Sequence, residues 1–121
     1  MSIQELLQQL TEDESVKAVA LVSEDGFVIE SVGKEKAADL DFVGGAATSA
    51  MASSRALADH LKKGEVEEVM VEFDEKSMLL DPLQVAGTTY SLVLLLANAQ
   101  NLGRVRFQIK KVRERLLEAL A

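Results

Sequence analysis

The sequence predicts a single α/β domain of the α+β type, with elements in the order α-β-β-α-β-β-β-α and five strands in a mainly antiparallel sheet. Three observations predict it. Two amphipathic helical stripes stand near the two ends of the chain, each with apolar residues recurring every three or four positions. Five short apolar or alternating runs lie between them, several joined by turns too tight for anything but antiparallel neighbours. A long segment of small side chains, residues 39–63, has the length of a helix and separates the first two strands from the last three. At 121 residues the chain has the size of one domain.

Ser2-Ile3-Gln4-Glu5 has the form of a capping box, in which Ser2 and Glu5 satisfy each other's backbone N–H. Ile3, Leu6, Leu7 and Leu10 then mark one face of a short helix. Residues 16–23, rich in Val, Ala and Leu, read as a strand. Glu24-Asp25-Gly26 reads as a hairpin turn, with Gly26 free to take the positive φ that such turns need. Residues 27–32 form the returning strand, and 33–38 a charged connection.

Residues 39–63 predict a long helix with Asp39 as its N-cap and Gly64 as its stop. From Phe42 to Ser54 there is no charged residue, and most of the side chains are Gly, Ala, Ser or Thr. Glycine costs a helix about 1 kcal/mol against alanine, so Gly44 and Gly45 imply support from outside the helix. Leu40, Val43, Ala47, Ala50, Leu57 and Leu61 are expected to face a sheet. The opposite side is small and uncharged, unlike a solvated face. Either this helix is central in the monomer or its second face meets another chain.

Residues 65–73 alternate cleanly and predict a strand, with a turn at 74–76. Residues 77–83 predict the next strand, closed by Pro82. Ala86-Gly87 turns again, and the continuous apolar run 88–96 predicts a central strand covered on both faces. After a polar connection at 97–101, Leu102, Val105, Ile109, Val112, Leu116 and Leu120 form a helical stripe to the C-terminus. Burying those six side chains contributes about 10 kcal/mol gross, an upper bound against an extended chain.

Composition narrows the function. Hydrophobic residues make up 48% and charged residues 27%, a globular balance too apolar for disorder. No apolar run reaches the ~18 residues of a membrane span, and the first ten residues lack the pattern of a secretory signal, so a cytoplasmic location is expected. Cysteine is absent, which removes disulfides and thiolate chemistry. A net charge of −7 argues against a nucleic-acid binder. The charge is uneven: residues 1–81 carry a net −11 and residues 82–121 a net +4, with every base of the latter between Arg104 and Arg115.

The constellations that could carry chemistry are thin. His60 is the only histidine, one ligand is too few for the usual zinc site, and it reads as a surface or packing residue. Gly44-Gly45 lacks the following Lys and Ser/Thr of a phosphate loop and lies inside a helical pattern, so close helix packing explains it and no cofactor is expected. Asp39 and Asp41, or Glu72, Asp74 and Glu75, do not follow calcium-loop spacing and read as a cap and a solvated turn. Arg104, Arg106, Lys110, Lys111, Arg113 and Arg115 form a basic helix. It reads most simply as a solvated face; the functional alternatives are an acidic protein, an anionic membrane or nucleic acid. With Phe107 as the lone aromatic among these bases, stacking on single strands is poorly supported.

Three pieces of the chain carry a resemblance. Ala18-Val19-Ala20-Leu21-Val22-Ser23-Glu24-Asp25-Gly26-Phe27-Val28-Ile29 resembles the first hairpin of the roadblock/dynein light-chain family. The small-residue helix between Leu40 and Leu61 resembles that family's central helix. Ala97-Asn98-Ala99-Gln100-Asn101-Leu102-Gly103 resembles the "Asn-Leu-Gly" connection that opens its last helix. Within the family the chain is most similar in type to bacterial small-GTPase regulators of the MglB kind. The resemblance implies a homodimer whose long helices lie together and whose sheets join edge to edge. It also implies binding to a Ras-like small GTPase, whose hydrolysis or nucleotide state is modulated without a catalytic residue from the regulator. A structural adaptor in a motor or signalling complex is the alternative, and an enzyme built around His60 is the third. The expected dimer-interface residues are Gly44, Ala46, Ser49, Ala50, Ser53 and Leu57; the candidate partner-binding residues are Arg104, Lys110, Lys111 and Arg115.

Overall fold

A computed structural model describes residues 1–33 and 40–121, with the side chains of the helix beginning at Leu40 described from Val43 onward. The elements are α1 (Ile3–Leu10), β1 (Val16–Val22), β2 (Val28–Gly33), α2 (Leu40–Leu61), β3 (Val69–Glu72), β4 (Ser77–Val85), β5 (Thr88–Leu96) and α3 (Leu102–Leu120). The expected order is the observed one. The strands form one sheet in the order β2-β1-β5-β4-β3, antiparallel throughout. The expected cap at Asp39, the connection at 34–38 and the side chains of Leu40, Asp41 and Phe42 lie outside the described residues.

Both faces of the sheet are covered, unequally. Helices α1 and α3 share one face, where Leu6, Leu7, Leu10, Val105, Ile109, Val112 and Leu116 meet Leu79, Leu83, Leu92 and Leu94 in the larger core. Among the described residues, helix α2 alone covers the other face, where Ala47 and Met51 meet Ala20, Val22, Leu80 and Val93. The central strand β5 contributes to both cores, which is why its sequence is apolar without alternation. The capping box forms as expected, Glu5 N donating to Ser2 Oγ (3.1 Å) and Ser2 N to Glu5 Oε1 (3.2 Å).

The turns carry the positive φ values that two-residue and tight connections demand. Gly26 sits at φ 89° in the β1–β2 turn, with Ser23 N donating to Phe27 O at 2.8 Å. The β4–β5 hairpin uses Ala86 (φ 50°) and Gly87 (φ 85°) between the paired residues Val85 and Thr88, the geometry of a primed turn. Strand β2 holds a bulge. Leu21 pairs with Glu30 and Val22 with Val28, so Ile29 is the extra residue, and Val28 is turned onto the α2 side while Val32 stays on the α1 side.

Three expectations need correction. The strand over 65–73 is shorter, pairing only from Val69↔Leu80 to Glu72↔Ser77. The next residues of β4 are Asp81, which engages Glu68 through its side chain, and Pro82, which has no N–H for the ladder. Pro82 itself does not close its strand: β4 runs on to Val85, with Pro82 paired to Ser91 of β5 where β3 has already ended. Leu57 and Leu61 do not face the sheet and stay 60% and 53% exposed. The inward stripe of α2 passes through Ala47 and Met51 and then continues by helical phase to Ser54, Arg55 and Ala58, leaving both leucines on the other side.

Gly44 shows how closely α2 lies on the β1–β2 hairpin. A Cβ built there would be 2.2 Å from the carbonyl oxygen of Gly26, a backbone atom that cannot step aside. At Gly45 a Cβ would meet nothing within 4 Å. Gly44→Ala is therefore expected to cost about 1–3 kcal/mol through overpacking, despite alanine's better helix propensity. Urea denaturation checks this; a Gly44→Ala protein as stable as the parent would mean that the helix does not lie this close.

Candidate functional site

Two surfaces stand out from the fold. The first is the outer side of α2. Gly45, Ala46, Ser49, Ala52, Ser53, Ala56 and Leu57 are exposed there, an uncharged stripe on a 22-residue helix. Four of the expected interface residues, Ala46, Ser49, Ser53 and Leu57, lie on this stripe. Gly44 and Ala50 do not: Gly44 is buried under the Gly26 turn, and Ala50 packs against the smaller core. That core is also incompletely closed, since Val28, Val43, Val66, Val69 and Met78 are only partly buried around it.

The second surface is the basic side of α3. Its charges divide into two groups. Arg104 donates from Nε to Asp13 Oδ2 (2.6 Å) and from Nη2 to Asp13 Oδ1 (3.1 Å), tying the start of α3 to the α1–β1 connection. Arg106 pairs with Glu68 at 2.7 Å, tying α3 to the residues before β3. Lys110, Lys111 and Arg115 are exposed; Lys111 Nζ lies 4.6 Å from the ring centroid of Phe107, itself 56% exposed. Of the four expected partner-binding residues, Arg104 thus serves the chain's own fold, and Lys110, Lys111 and Arg115 face outward.

The Asp13 carboxylate is nearly covered and held well below the usual carboxylate range, first by its hydrogen bonds from Arg104, then by Ser15 Oγ (2.7 Å) and Ser15 N (2.9 Å). Asp81 is the opposite case. It is 5% exposed on β4, between Leu79 and Leu83 on the face toward α3, and its Oδ1 has no hydrogen-bond partner among the described residues. Burial pushes its pKa up to about 8, and a hydrogen bond with the neighbouring Glu68 acts in the same direction, against the pull of Arg113 and Arg106. A groove of about 810 Å³ opens above it, with Glu65, Glu67 and Glu68 on one bank and Arg106, Lys110 and Arg113 on the other. Neither carboxyl was singled out in the sequence. The signal for Asp81 is a charge inside the otherwise apolar run Met78-Leu79-Leu80-Asp81-Pro82-Leu83; Asp13 has none, because its partner is 91 residues away.

His60 is exposed near the end of α2. Among the described residues, no three His, Cys, Asp or Glu side chains gather as metal ligands would, and no helix is long and apolar enough to cross a membrane.

The Roadblock/LC7 domain family matches residues 2–100 of this chain. The chain belongs to the Roadblock/LC7 family. An uncharacterized protein of Methanocaldococcus jannaschii, MJ1340, is 30% identical over 115 residues, covering 94% of this chain and 96% of its own length. Among solved structures, Myxococcus xanthus MglB superposes with a TM-score of 0.86 at 26% identity, covering 98% of this Roadblock/LC7 chain and 94% of its own. An MglB described in a tetrameric arrangement superposes with a TM-score of 0.80 at 24% identity, over 95% of this chain and 85% of that one.

The Asp13–Arg104 contact has a pH signature. A carboxylate whose pKa falls on folding adds stability above its ordinary pKa of about 4 and loses it as acid is added below that. Arg104→Gln is expected to lower the melting temperature at pH 7, with the difference from the parent narrowing steadily below pH 4. A difference independent of pH, followed by circular dichroism, would assign the loss to packing instead.

Proposed function

We propose that this Roadblock/LC7 chain is a homodimeric regulator that binds a Ras-like small GTPase and alters its hydrolysis or nucleotide state without supplying a catalytic residue. The observation that carries the reading is the outer stripe of α2. A helix that protects a sheet from water normally turns charge toward the solvent; this one turns Ala46, Ser49, Ser53 and Leu57. Small residues let two backbones approach closely, and a second α2 laid along the first would cover Leu57 and the open rim of the smaller core. The likeness to MglB, one example of which is described in a tetrameric arrangement, supports self-association.

The stripe gives a test in which fold and association separate. Ser53 is exposed in the single chain, so Ser53→Arg should leave the helical circular dichroism unchanged. In a close helix–helix contact the same arginine is an unpaired charge, at a cost of several kcal/mol. Sedimentation is expected to show a dimer for the parent at micromolar concentration and a monomer for Ser53→Arg. A monomeric parent overturns the reading.

The regulatory part rests on the family likeness and on where the arginines are. Arg104 and Arg106 are held by Asp13 and Glu68, and Arg55 lies within α2. None is presented from a loop as an arginine finger would be, whose loss costs at least about a thousandfold in stimulated hydrolysis. In single-turnover hydrolysis by a Ras-like GTPase from the same cell, no single change of Arg55, Arg104, Arg106, Arg113 or Arg115 to Ala should abolish stimulation. Removing Lys110, Lys111 and Arg115 together should weaken association in a salt-dependent way. One arginine whose loss ends stimulation while binding survives would refute the mechanism, and binding with no effect on nucleotide turnover would favour an adaptor.

A further inference from the structure

Residues 65–68 reach β3 without strand pairing of their own, since the β3–β4 ladder begins at Val69. Their hold on the body of the protein comes from side chains. Val66 rests against the smaller core, Glu65 Oε2 accepts from Gln84 Nε2 at the surface (3.3 Å), and Glu68 reaches inward to Arg106 and Asp81. Glu68 is thus the polar anchor of the approach to an edge strand, and Asp81 is the buried end of that anchor.

We propose that Asp81 and Glu68, bridged to α3 by Arg106, form a proton-operated latch that holds residues 65–68 onto the body of the domain and releases them when the shared proton leaves. With one proton between them, the Asp81 hydroxyl donates to the Glu68 carboxylate, and Arg106 neutralises the single remaining charge. Without it, two carboxylates face each other in a site where Asp81 is only 5% exposed. The groups facing Asp81 are Glu68 from the segment before β3 and Arg106 and Arg113 from α3; Glu65, Glu67 and Lys110 stand on the rim. The two guanidiniums oppose the repulsion, but among the described residues Asp81 Oδ1 still has no donor. The cheapest relief is for Glu68 to swing out toward water, since Asp81 is fixed in the middle of β4 between two fully buried leucines and Glu68 lies beyond the end of the ladder.

The sign follows from burial. Asp81 has a pKa pushed up to about 8, so the latch is closed at pH 6.5 and opens as the pH rises through 8. The proposal concerns the attachment of residues 65–68 within one chain. It is tested on the full chain by hydrogen exchange of the peptide spanning 64–72 at pH 6.5 and pH 9.5, corrected for the intrinsic base-catalysed rate, together with a ¹³C titration of the Asp81 carboxyl. Because β3 is also an edge of the sheet at which a second copy would join, the exchange is measured at two protein concentrations, so that a contribution from association separates from the latch. Residues 65–68 have no ladder hydrogen bonds of their own, so the readout is the β3 amides they anchor. Protection over 69–72 in the parent should fall by about tenfold or more across that range, while α3 and β5 stay protected. Asp81→Asn, whose amide donates to Glu68 at every pH, should keep protection constant within about twofold. If Asp81→Asn does not fold, Glu68→Gln serves instead: without the like charge, Asp81 should titrate lower and the alkaline loss of protection should disappear. Parallel pH profiles in parent and variant, or an Asp81 carboxyl titrating near the ordinary value of about 4, overturn the latch.

Discussion

The unequal covering of one sheet is the constraint on which the rest of this structure depends. Five strands spaced about 4.8 Å apart make a surface more than 20 Å across, and a helix is only about 10 Å wide. On one face α1 and α3 together close a core of fully buried leucines. On the other, among the described residues, α2 works alone, and the apolar side chains around its rim are half-buried. The small residues of α2 follow from this: Gly44 lets the helix settle onto the Gly26 turn, and alanines bring it near the sheet. The same choice leaves it with little side chain to spread over the strands at either side.

How much of this could be read beforehand depended on contrast between side chains. The stripe of α3 was legible because leucine, isoleucine and valine alternate there with arginine and lysine, and four of its six expected residues are buried. The two faces of α2 were not, because glycine, alanine and serine differ too little in hydropathy to show which way each points. Gly44 was expected on the outer face and is buried under the Gly26 turn. Ala50 was expected on both faces and packs against the smaller core, and Met51, buried at 2% exposure, was named on neither. The strand through 65–68 was over-read because alternation reports a half-buried surface, not the presence of a hydrogen-bonding neighbour. Only the register β3–β4 shows that the neighbour's next residues are an aspartate whose side chain, not backbone, engages Glu68 and a proline with no N–H to give.

The basic helix shows why a charge run is ambiguous in sequence. Arg104 and Arg106 are spent on contacts that join distant parts of the chain, to Asp13 and to Glu68. Lys110, Lys111 and Arg115, on the same helix, look outward. A surface charge that holds two elements together and one that waits for another molecule are identical as letters. What separates them is whether an acid from elsewhere in the fold arrives within reach, and that is long-range information.

The bulge at Ile29 bears on how such a sheet could grow. A sheet has two open margins, and if both accepted a neighbour, copies would add β3 to β2 without end, as a fibre. Here the β2 margin is interrupted by the unpaired Ile29, which breaks the even spacing of backbone donors and acceptors that an added strand needs. The β3 margin, four residues long, has no such interruption in its register. An added strand meets an even row of backbone donors and acceptors only along β3, and a sheet joined there to the same margin of a second copy is closed after two.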